Sequence, residues 1–190
     1  MLLLVGLGNP GSNYTNSRHN IGFKIIDAIN SHFKLSKQKP KFKGLLTTGN
    51  IDEKKIYAIK PLTFMNNSGT AIKELIDYFK IDAKDVIVFH DDMDIDFGKV
   101  KAKFGGTSAG HNGIESIDKF IGKDYSRVRI GIGHPKQKKK VNNHVLEDFK
   151  EDEEEKIKEI AENIVKQISA LIDKKIDLFS SKVNQNLNGI

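Results

Sequence analysis

The chain begins with Met1-Leu2-Leu3-Leu4-Val5-Gly6-Leu7-Gly8-Asn9-Pro10-Gly11, an apolar run that ends among glycines. A short apolar run bounded by turn residues is typical of a strand buried on both faces of a sheet. Beyond Asn20, a candidate N-cap, apolar residues recur at helical spacing at Ile21, Ile25, Ile26, Ile29 and Phe33. The opening stretch therefore predicts a buried strand followed by a helix, the repeating unit of an α/β domain.

The same alternation of patterns continues along the rest of the chain. Strand patterns cover 44–50, 55–60, 86–90, 99–104 and 125–132. Helical patterns follow Ser68, cover 112–121, and form one long amphipathic segment from the acidic run 151–155 to Ile176. We expect an exposed loop at 35–43, a basic connection at 136–145 and a polar tail that frays at 181–190. The sequence predicts one α/β domain over residues 1–180, with a largely parallel or mixed sheet.

The composition excludes several classes of site. The 190 residues include no cysteine, so a disulfide scaffold, a zinc–thiolate site and a cysteine nucleophile are all excluded. The apolar N-terminus lacks a basic leader and runs directly into the glycines, which favours a strand over a signal peptide. No apolar stretch is long enough to span a bilayer. We therefore expect a soluble cytoplasmic protein without membrane attachment.

The net charge of +6 is unevenly distributed. Residues 148–190 carry a net charge of −3, so the remainder of the chain carries +9. A basic body suits a polyanionic partner, above all a nucleic acid. Lysines that only solubilise the surface would give the same composition, and charge alone does not separate the two explanations.

The glycine pattern Gly6-x-Gly8-x-x-Gly11 matches a dinucleotide-binding fingerprint. In that fingerprint the helix begins within the glycine loop, whereas here Pro10 interrupts and helical spacing starts only near Asn20. The acidic residue expected after a second strand is also missing. The glycines are better interpreted as allowing a sharp turn that exposes Asn9, with a nucleotide-dependent oxidoreductase kept as an alternative.

His19 and Asp91 are the candidate proton-transfer pair. His19 stands immediately before the first helix pattern, and Asp91 closes an apolar strand pattern. A carboxylate can hold one imidazole nitrogen while the other takes a proton from water. No serine occupies a nucleophile elbow, which favours water as the nucleophile. A structural or solvent-exposed histidine is the competing interpretation.

Two further groups of polar residues carry alternatives. The acidic residues of 90–96 could bind Mg²⁺ or Ca²⁺, but they lack the twelve-residue calcium pattern and are better explained as capping or solvating a turn. Asn9, Asn66 and Asn112 each occupy a predicted loop, where asparagine is common for local reasons. Together their amides suit the recognition of peptide groups or ribose hydroxyls.

Several of these strings, in this order, resemble the bacterial peptidyl-tRNA hydrolase family over essentially the whole chain. The strings are Leu4–Gly11, Tyr14, Arg18-His19-Asn20-x-Gly22, Lys60-Pro61-x-Thr63-x-Met65-Asn66-x-Ser68-Gly69, His90-Asp91, Gly105-Gly106, Gly110–Gly113 and Arg129–Pro135. The resemblance implies a monomeric α/β enzyme over residues 1–180, with a twisted mixed sheet between helices. It implies cleavage of the ester that joins a peptide to the 3′ end of tRNA, without metal or organic cofactor.

The resemblance also assigns roles to individual residues. The catalytic histidine falls on His19, its carboxylate partner on Asp91, and the substrate-orienting asparagines on Asn9, Asn66 and Asn112. Lys103 and Arg129 fall on positions that hold tRNA phosphate. Positions of the substrate pocket fall on Tyr14, Phe64, Met65 and His111.

The chain departs from the family pattern at Ser17, Ala109 and Glu115, where threonine, glycine and a basic residue are usual. The change at Glu115 affects only one peripheral tRNA contact. A non-catalytic RNA-binding protein on the same fold is the main rival, and the set His19, Asp91 and Asn9 argues against it, because a pure binder needs no general base.

Overall fold

One mixed sheet organises the computed structural model, which describes residues 1–135 and 141–187. The strands are β1 (Leu2–Gly6), β2 (Lys39–Lys41), β3 (Gly44–Ile51), β4 (Lys54–Pro61), β5 (Val86–Asp92), β6 (Val100–Phe104) and β7 (Ser126–Gly131). Their order across the sheet is β2-β3-β4-β1-β5-β7-β6. The central strands β4, β1, β5 and β7 are parallel, whereas β2, β3 and β6 pair antiparallel at the two sides. The predicted α/β class and mixed, largely parallel sheet are confirmed.

Helices cover both faces of this sheet. They are α1 (Ile21–His32), α2 (Ser68–Phe79), α3 (Asn112–Ile121), α4 (Val141–Leu146), α5 (Glu151–Ile172) and α6 (Ile176–Leu187). Leu2 and Leu4 of β1 belong to the core formed with α1, α5 and α6, while Leu3 and Val5 belong to the core formed with α2 and α3. Successive side chains of a strand point to opposite faces, which explains why the whole run is apolar. None of the described helices is both long and apolar enough to cross a membrane.

Glycines bring α1 close to the ends of β1 and β5. A Cβ on Gly22 would collide with the backbone of Leu7 and Phe89, so only glycine allows this approach. Short 3-10 turns at Ser12–Tyr14 and Arg18–Asn20 separate the glycine loop from α1. The helix therefore does not begin within the glycine loop, as the dinucleotide fingerprint requires.

Three expectations about connecting segments need correction. The predicted loop at 35–43 contains the short edge strand β2, whose side chains are all exposed and so leave no hydrophobic pattern. The predicted basic connection at 136–145 includes helix α4 from Val141, and residues 136–140 lie outside the described residues. The long predicted helix is broken between α5 and α6, where Lys174 adopts a left-handed conformation with φ of 62°.

The predicted fraying tail is wrong for residues 181–187, which continue helix α6. Phe179, Val183 and Leu187 are buried on one face of α6 at intervals of four residues. The Asn184 amide accepts from the Val100 N–H at 3.0 Å and donates to the Val100 carbonyl at 2.7 Å. The helix thus satisfies backbone groups on the free edge of β6, which would otherwise lack partners.

Candidate active site

A histidine–carboxylate pair lies where β5 ends beside the start of α1. Asp91 is the penultimate residue of β5, and His19 is in the 3-10 turn Arg18–Asn20. His19 Nδ1 lies 2.7 Å from Asp91 Oδ1, and both side chains are buried. Since the carboxylate can only accept, Nδ1 must carry the proton, which leaves Nε2 as the free basic nitrogen. Among the described residues, none forms a hydrogen bond with this Nε2.

Burial and charge act in opposite directions on this pair. Burial by itself lowers the pKa of His19, but the charge and hydrogen bond of Asp91 outweigh it and leave the pKa above its ordinary value. Burial by itself raises the pKa of Asp91, but attraction to His19 and His111 holds that pKa well below its ordinary value. Asp91 is therefore a carboxylate at any neutral pH, ready to stabilise an imidazolium at His19.

A second histidine, His111, contacts the same carboxylate. Its Nε2 lies 2.9 Å from Asp91 Oδ1. Its Nδ1 accepts the backbone N–H groups of Gly113 and Ile114 at 3.1 and 3.3 Å, so His111 is the N-cap of α3. Since Nδ1 accepts, the proton is on Nε2, and the imidazole is a neutral donor to Asp91. The family resemblance placed His111 in the pocket but did not predict this bond.

These groups border a cavity of about 90 Å³. A buried water needs roughly 10–15 Å³ of such volume, so the cavity has room for several waters beside His19. Asp91, His111 and Asn112 line it together with His19. Its other lining residues are Asp92, Met93, Asp94, Ser108, Ala109, Gly110 and Val145.

Asn9 is held in a fixed orientation by its neighbours. The Met65 backbone N–H donates to Asn9 Oδ1 at 2.8 Å, which identifies that atom as the oxygen and directs Nδ2 away from it. The Asn20 side chain accepts from the Asn9 N–H at 2.8 Å and donates to the Asn9 carbonyl at 3.0 Å. Asn9 Nδ2 has no hydrogen-bond partner among the described residues. The amide therefore offers a positioned N–H₂ group that is free to bind a ligand.

Asn9 does not border the cavity itself but lines a neighbouring open groove with Asn20, Phe23 and Lys60. A chain of contacts joins it to the histidines. Met65, which holds Asn9, packs its sulfur where a Cβ on Gly113 would lie, and the Gly113 N–H in turn donates to His111. The start of α3 thus connects the asparagine to the Asp91 pair.

Arg18 fixes the turn that carries His19, a role that was not predicted from its sequence pattern. Its Nη1 donates to the carbonyls of Glu147 and Asp148 at 3.2 and 2.6 Å. Its Nη2 forms an ion pair with Glu153 at 2.7 Å, and the guanidinium lies 5.4 Å from the centre of the Phe149 ring. Because Arg18 is buried, it ties the His19 turn rigidly to the start of α5.

The remaining pocket residues predicted from the sequence lie farther out. Phe64 is 61% exposed, Asn66 is exposed, and Tyr14 is half-buried on the first 3-10 turn. None of them is among the described residues that line the cavity. Met65 is buried and contributes its backbone N–H and its sulfur rather than an exposed apolar wall.

The two predicted phosphate-binding residues lie on the neighbouring antiparallel strands. Arg129 of β7 donates from Nε to Asp92 Oδ2 at 2.7 Å, and Asp92 lines the cavity. Lys103 of β6 is opposite Arg127, whose buried guanidinium is paired with Asp118. Partial burial, then the charges of Arg129 and Arg127, lower the pKa of Lys103. Lys103, Arg127 and Arg129 place three positive charges on this strand pair, which suits an anion.

His19, Asp91 and His111 also place potential metal-ligand atoms within 4.8 Å of one another. His19 Nδ1 and His111 Nε2 are both hydrogen-bonded to Asp91, so a metal ion bound through these two atoms would have to displace their protons. The acidic residues after Asp91 are used in other contacts. Asp92 binds Arg129 and accepts the Asp94 N–H at 2.9 Å, and Asp94 contacts His134. Hydrogen bonds and ion pairs therefore account for the positions of these acidic side chains.

Comparison with known proteins identifies the family of the chain. The family model of peptidyl-tRNA hydrolase matches residues 3–189. A peptidyl-tRNA hydrolase of Pelagibacter ubique is 73% identical over 184 residues, which cover 97% of this chain and 99% of that protein. One from Bartonella henselae is 46% identical over 185 residues, covering 97% and 96%. The crystal structure of peptidyl-tRNA hydrolase from Acinetobacter baumannii is 32% identical and superposes with a TM-score of 0.90, covering 97% of this chain and 94% of that one. The chain therefore belongs to the peptidyl-tRNA hydrolase family and hydrolyses peptidyl-tRNA.

Proposed function

We propose that this protein hydrolyses the ester between a peptide and the 3′ end of tRNA with His19 as the general base. The observation that carries the proposal is the buried His19–Asp91 pair, whose Nδ1 contact at 2.7 Å leaves Nε2 free beside a cavity with room for water. Family membership supplies the substrate class. A binding protein would have no use for a base held in this way.

In the first step, His19 Nε2 removes a proton from a water molecule that attacks the ester carbonyl. Asp91 holds the Nδ1 proton and stabilises the imidazolium that forms, without itself becoming protonated. The tetrahedral intermediate then collapses, and the C–O bond to the terminal ribose breaks. His19 returns its proton to the departing ribose oxygen, which releases a free peptide acid and a tRNA hydroxyl.

The negative oxygen of the intermediate needs a hydrogen-bond donor. Asn9 Nδ2 is suited to this role because Met65 fixes the amide through Oδ1, and no described residue bonds to the N–H₂ group. The Asn112 amide, exposed at the cavity, is the other candidate donor. A donor that is already fixed stabilises the developing charge without reorganising during the reaction.

The peptide part and the tRNA part of the substrate are assigned to different surfaces of the protein. We assign the peptide backbone to the surface bounded by Asn66, Asn112 and Met65, with Tyr14, Phe64 and His111 as further pocket positions. We assign tRNA phosphate to Lys103 and Arg129. Nε of Arg129 is bonded to Asp92, and neither terminal nitrogen has a hydrogen-bond partner in the described part of the chain, so both could bind a phosphate.

The test is hydrolysis of N-acetyl-aminoacyl-tRNA in the presence of EDTA, compared with tRNA that carries a free amino acid. We expect release of the blocked amino acid and poor release of the free one, because amide groups that match a peptide bond would lose partners against an ammonium group. Binding of tRNA without hydrolysis would instead support a non-catalytic RNA-binding protein. The expected monomeric state can be checked on the same sample by its molecular mass in solution.

A further inference from the structure

The two ring nitrogens of His111 make separate contacts, one to the start of α3 and one to Asp91, and so serve two different functions. Nδ1 accepts from the first turn of α3, and Nε2 donates to Asp91 Oδ1. We propose that His111 is a positioning residue that acts on His19 through Asp91, by fixing the carboxylate and taking up part of its charge. This inference rests on the proposed function, in which His19 is the general base.

One oxygen of Asp91 receives both histidine donors. His19 Nδ1 lies at 2.7 Å and His111 Nε2 at 2.9 Å from the same Oδ1. Two donors on one oxygen define the plane and rotation of the carboxylate better than either alone. A carboxylate that also donates charge density to a second N–H attracts the His19 imidazolium less strongly. His111 therefore restrains both the geometry and the basicity of His19.

Ring packing holds His111 in this position. Its ring centre lies 4.8 Å from that of His19 on one side and 4.8 Å from that of His90 on the other. His90 donates from Nδ1 to the Asp91 carbonyl at 2.7 Å, and its buried Nε2 has no partner within residues 1–135 and 141–187. Burial, followed by the proximity of His111, keeps the pKa of His90 well below its ordinary value, so His90 packs as a neutral ring. An uncharged neighbour leaves the donor role of His111 undisturbed.

Within the described residues, the titratable side chains in contact with His111 come from the 3-10 turn that carries His19 and from β5. His19 faces it from the 3-10 turn, and Asp91 and His90 face it from β5. Asp92 and Asp94 share the cavity wall, and the charge of Arg127 in β7 acts on His90. Of these, Asp91 alone is bonded to His111 Nε2 in the described part of the chain. Loss of this bond should therefore change the orientation and the pKa of His19 chiefly through its effect on Asp91.

Two substitutions separate the functions of the two nitrogens. His111→Asn retains an acceptor at the position of Nδ1, since asparagine is a good N-cap, but it is too short to donate to Asp91. His111→Gln places an amide N–H₂ near the position of Nε2 and loses the capping acceptor. The two variants are thus matched controls for each other, one for the helix cap and one for the Asp91 bond.

The experiment follows the His19 imidazole by NMR titration in the wild type and both variants, together with kcat, KM and the melting temperature. For His111→Asn we expect a higher pKa of His19 and a kcat lowered about tenfold at pH 7, with the melting temperature nearly unchanged. General base catalysis typically contributes roughly 10²–10⁴-fold to the rate. A tenfold loss of kcat is the part of that contribution that we attribute to poorer positioning of His19. For His111→Gln we expect most of the lost kcat to return, and a lower melting temperature.

An equal loss of kcat in both variants, or a larger loss in His111→Gln than in His111→Asn, would overturn the proposal. If a variant fails to fold, the proposal can still be tested on the wild-type protein by ¹⁵N NMR of His111. At pH 7.5 the ¹⁵N shifts should show that Nε2 carries a proton and that Nδ1 does not. The opposite tautomer would contradict the inference. Failure of the proposed function would look different, since the wild type itself would then not hydrolyse N-acetyl-aminoacyl-tRNA.

Discussion

Replacement of Asn9 by aspartate removes one hydrogen-bond donor and adds a negative charge at a buried position, while the shape of the side chain stays nearly the same. The substituted side chain would have the same shape, and one of its oxygens would still accept the Met65 N–H that Asn9 Oδ1 accepts at 2.8 Å. The free N–H₂ group would become a second acceptor. Loss of one oxyanion donor typically lowers kcat by about 10²–10³-fold, or roughly 3–4 kcal/mol of transition-state stabilisation. We expect at least that loss for Asn9→Asp, since a negative charge would also repel the developing oxyanion.

Asn9→Ala serves as the matched comparison, because it removes both the donor and the acceptor. The buried Met65 N–H would then lack its partner, at a cost of about 1–3 kcal/mol in folding stability. For a chain of this size that corresponds to a melting temperature lower by roughly 2–12 °C. The assay measures kcat and KM on N-acetyl-aminoacyl-tRNA alongside thermal unfolding. A near-normal kcat for Asn9→Asp would refute the oxyanion role of Asn9 and point to Asn112.

Four further expectations concern the base, the pH profile, the phosphate contacts and metal ions. Asp91→Asn should leave more activity than His19→Ala, since it removes support but not the base; the reverse order of kcat values would make Asp91 the base. The raised pKa of His19 places the acid limb of kcat/KM above pH 6.5, because the base must be unprotonated; a limb below pH 6.5 would contradict the Asp91 effect. Lys103→Ala and Arg129→Ala should raise KM for full-length substrate and lower the salt slope of binding by about one unit each, with kcat nearly intact. An equal loss of kcat/KM on a minimal substrate that lacks the tRNA body would instead show that these residues take part in ester cleavage. Excess EDTA should leave kcat unchanged, and a loss restored by a divalent ion would argue for a metal bound at His19, Asp91 and His111.

Much of the central fold could be predicted because local patterns and tertiary burial agree there. β1 is apolar throughout since both faces of the sheet are covered, and the predicted bounds of α3 match Asn112–Ile121. The misses arise where structure depends on distant contacts. The short strand β2 exists only by pairing with β3, and the break after α5 depends on the unusual backbone of Lys174.

The end of the chain did contain a signal that polar composition concealed. Phe179, Val183 and Leu187 recur every four residues, which is typical of one buried face of a helix. Asn184 lies in the segment expected to be a polar tail, and its amide pairs with the backbone of β6. Helical spacing would have been a better guide than composition in this segment.

For the site, strand ends were more informative than motifs alone. His19 and Asp91 could be paired from sequence because each follows a predicted parallel strand, and such ends meet at one edge of a sheet. The link between His111 and Asp91 could not be predicted, since it depends on how the loop after β6 folds back over β5. The buried roles of Arg18 and Asn20 likewise depend on partners far along the chain or on the backbone of Asn9.

The most direct test of the central claim is single-turnover hydrolysis of N-acetyl-aminoacyl-tRNA by His19→Ala, with tRNA affinity measured on the same preparation. His19 contacts Asp91 and His111 but no assigned phosphate-binding residue, so tRNA affinity should stay within a few-fold of the wild type. The rate of ester cleavage should fall by at least about 10²–10⁴-fold, the contribution expected of a general base. A His19→Ala protein that binds tRNA and still cleaves the ester at a near-normal rate would contradict the account.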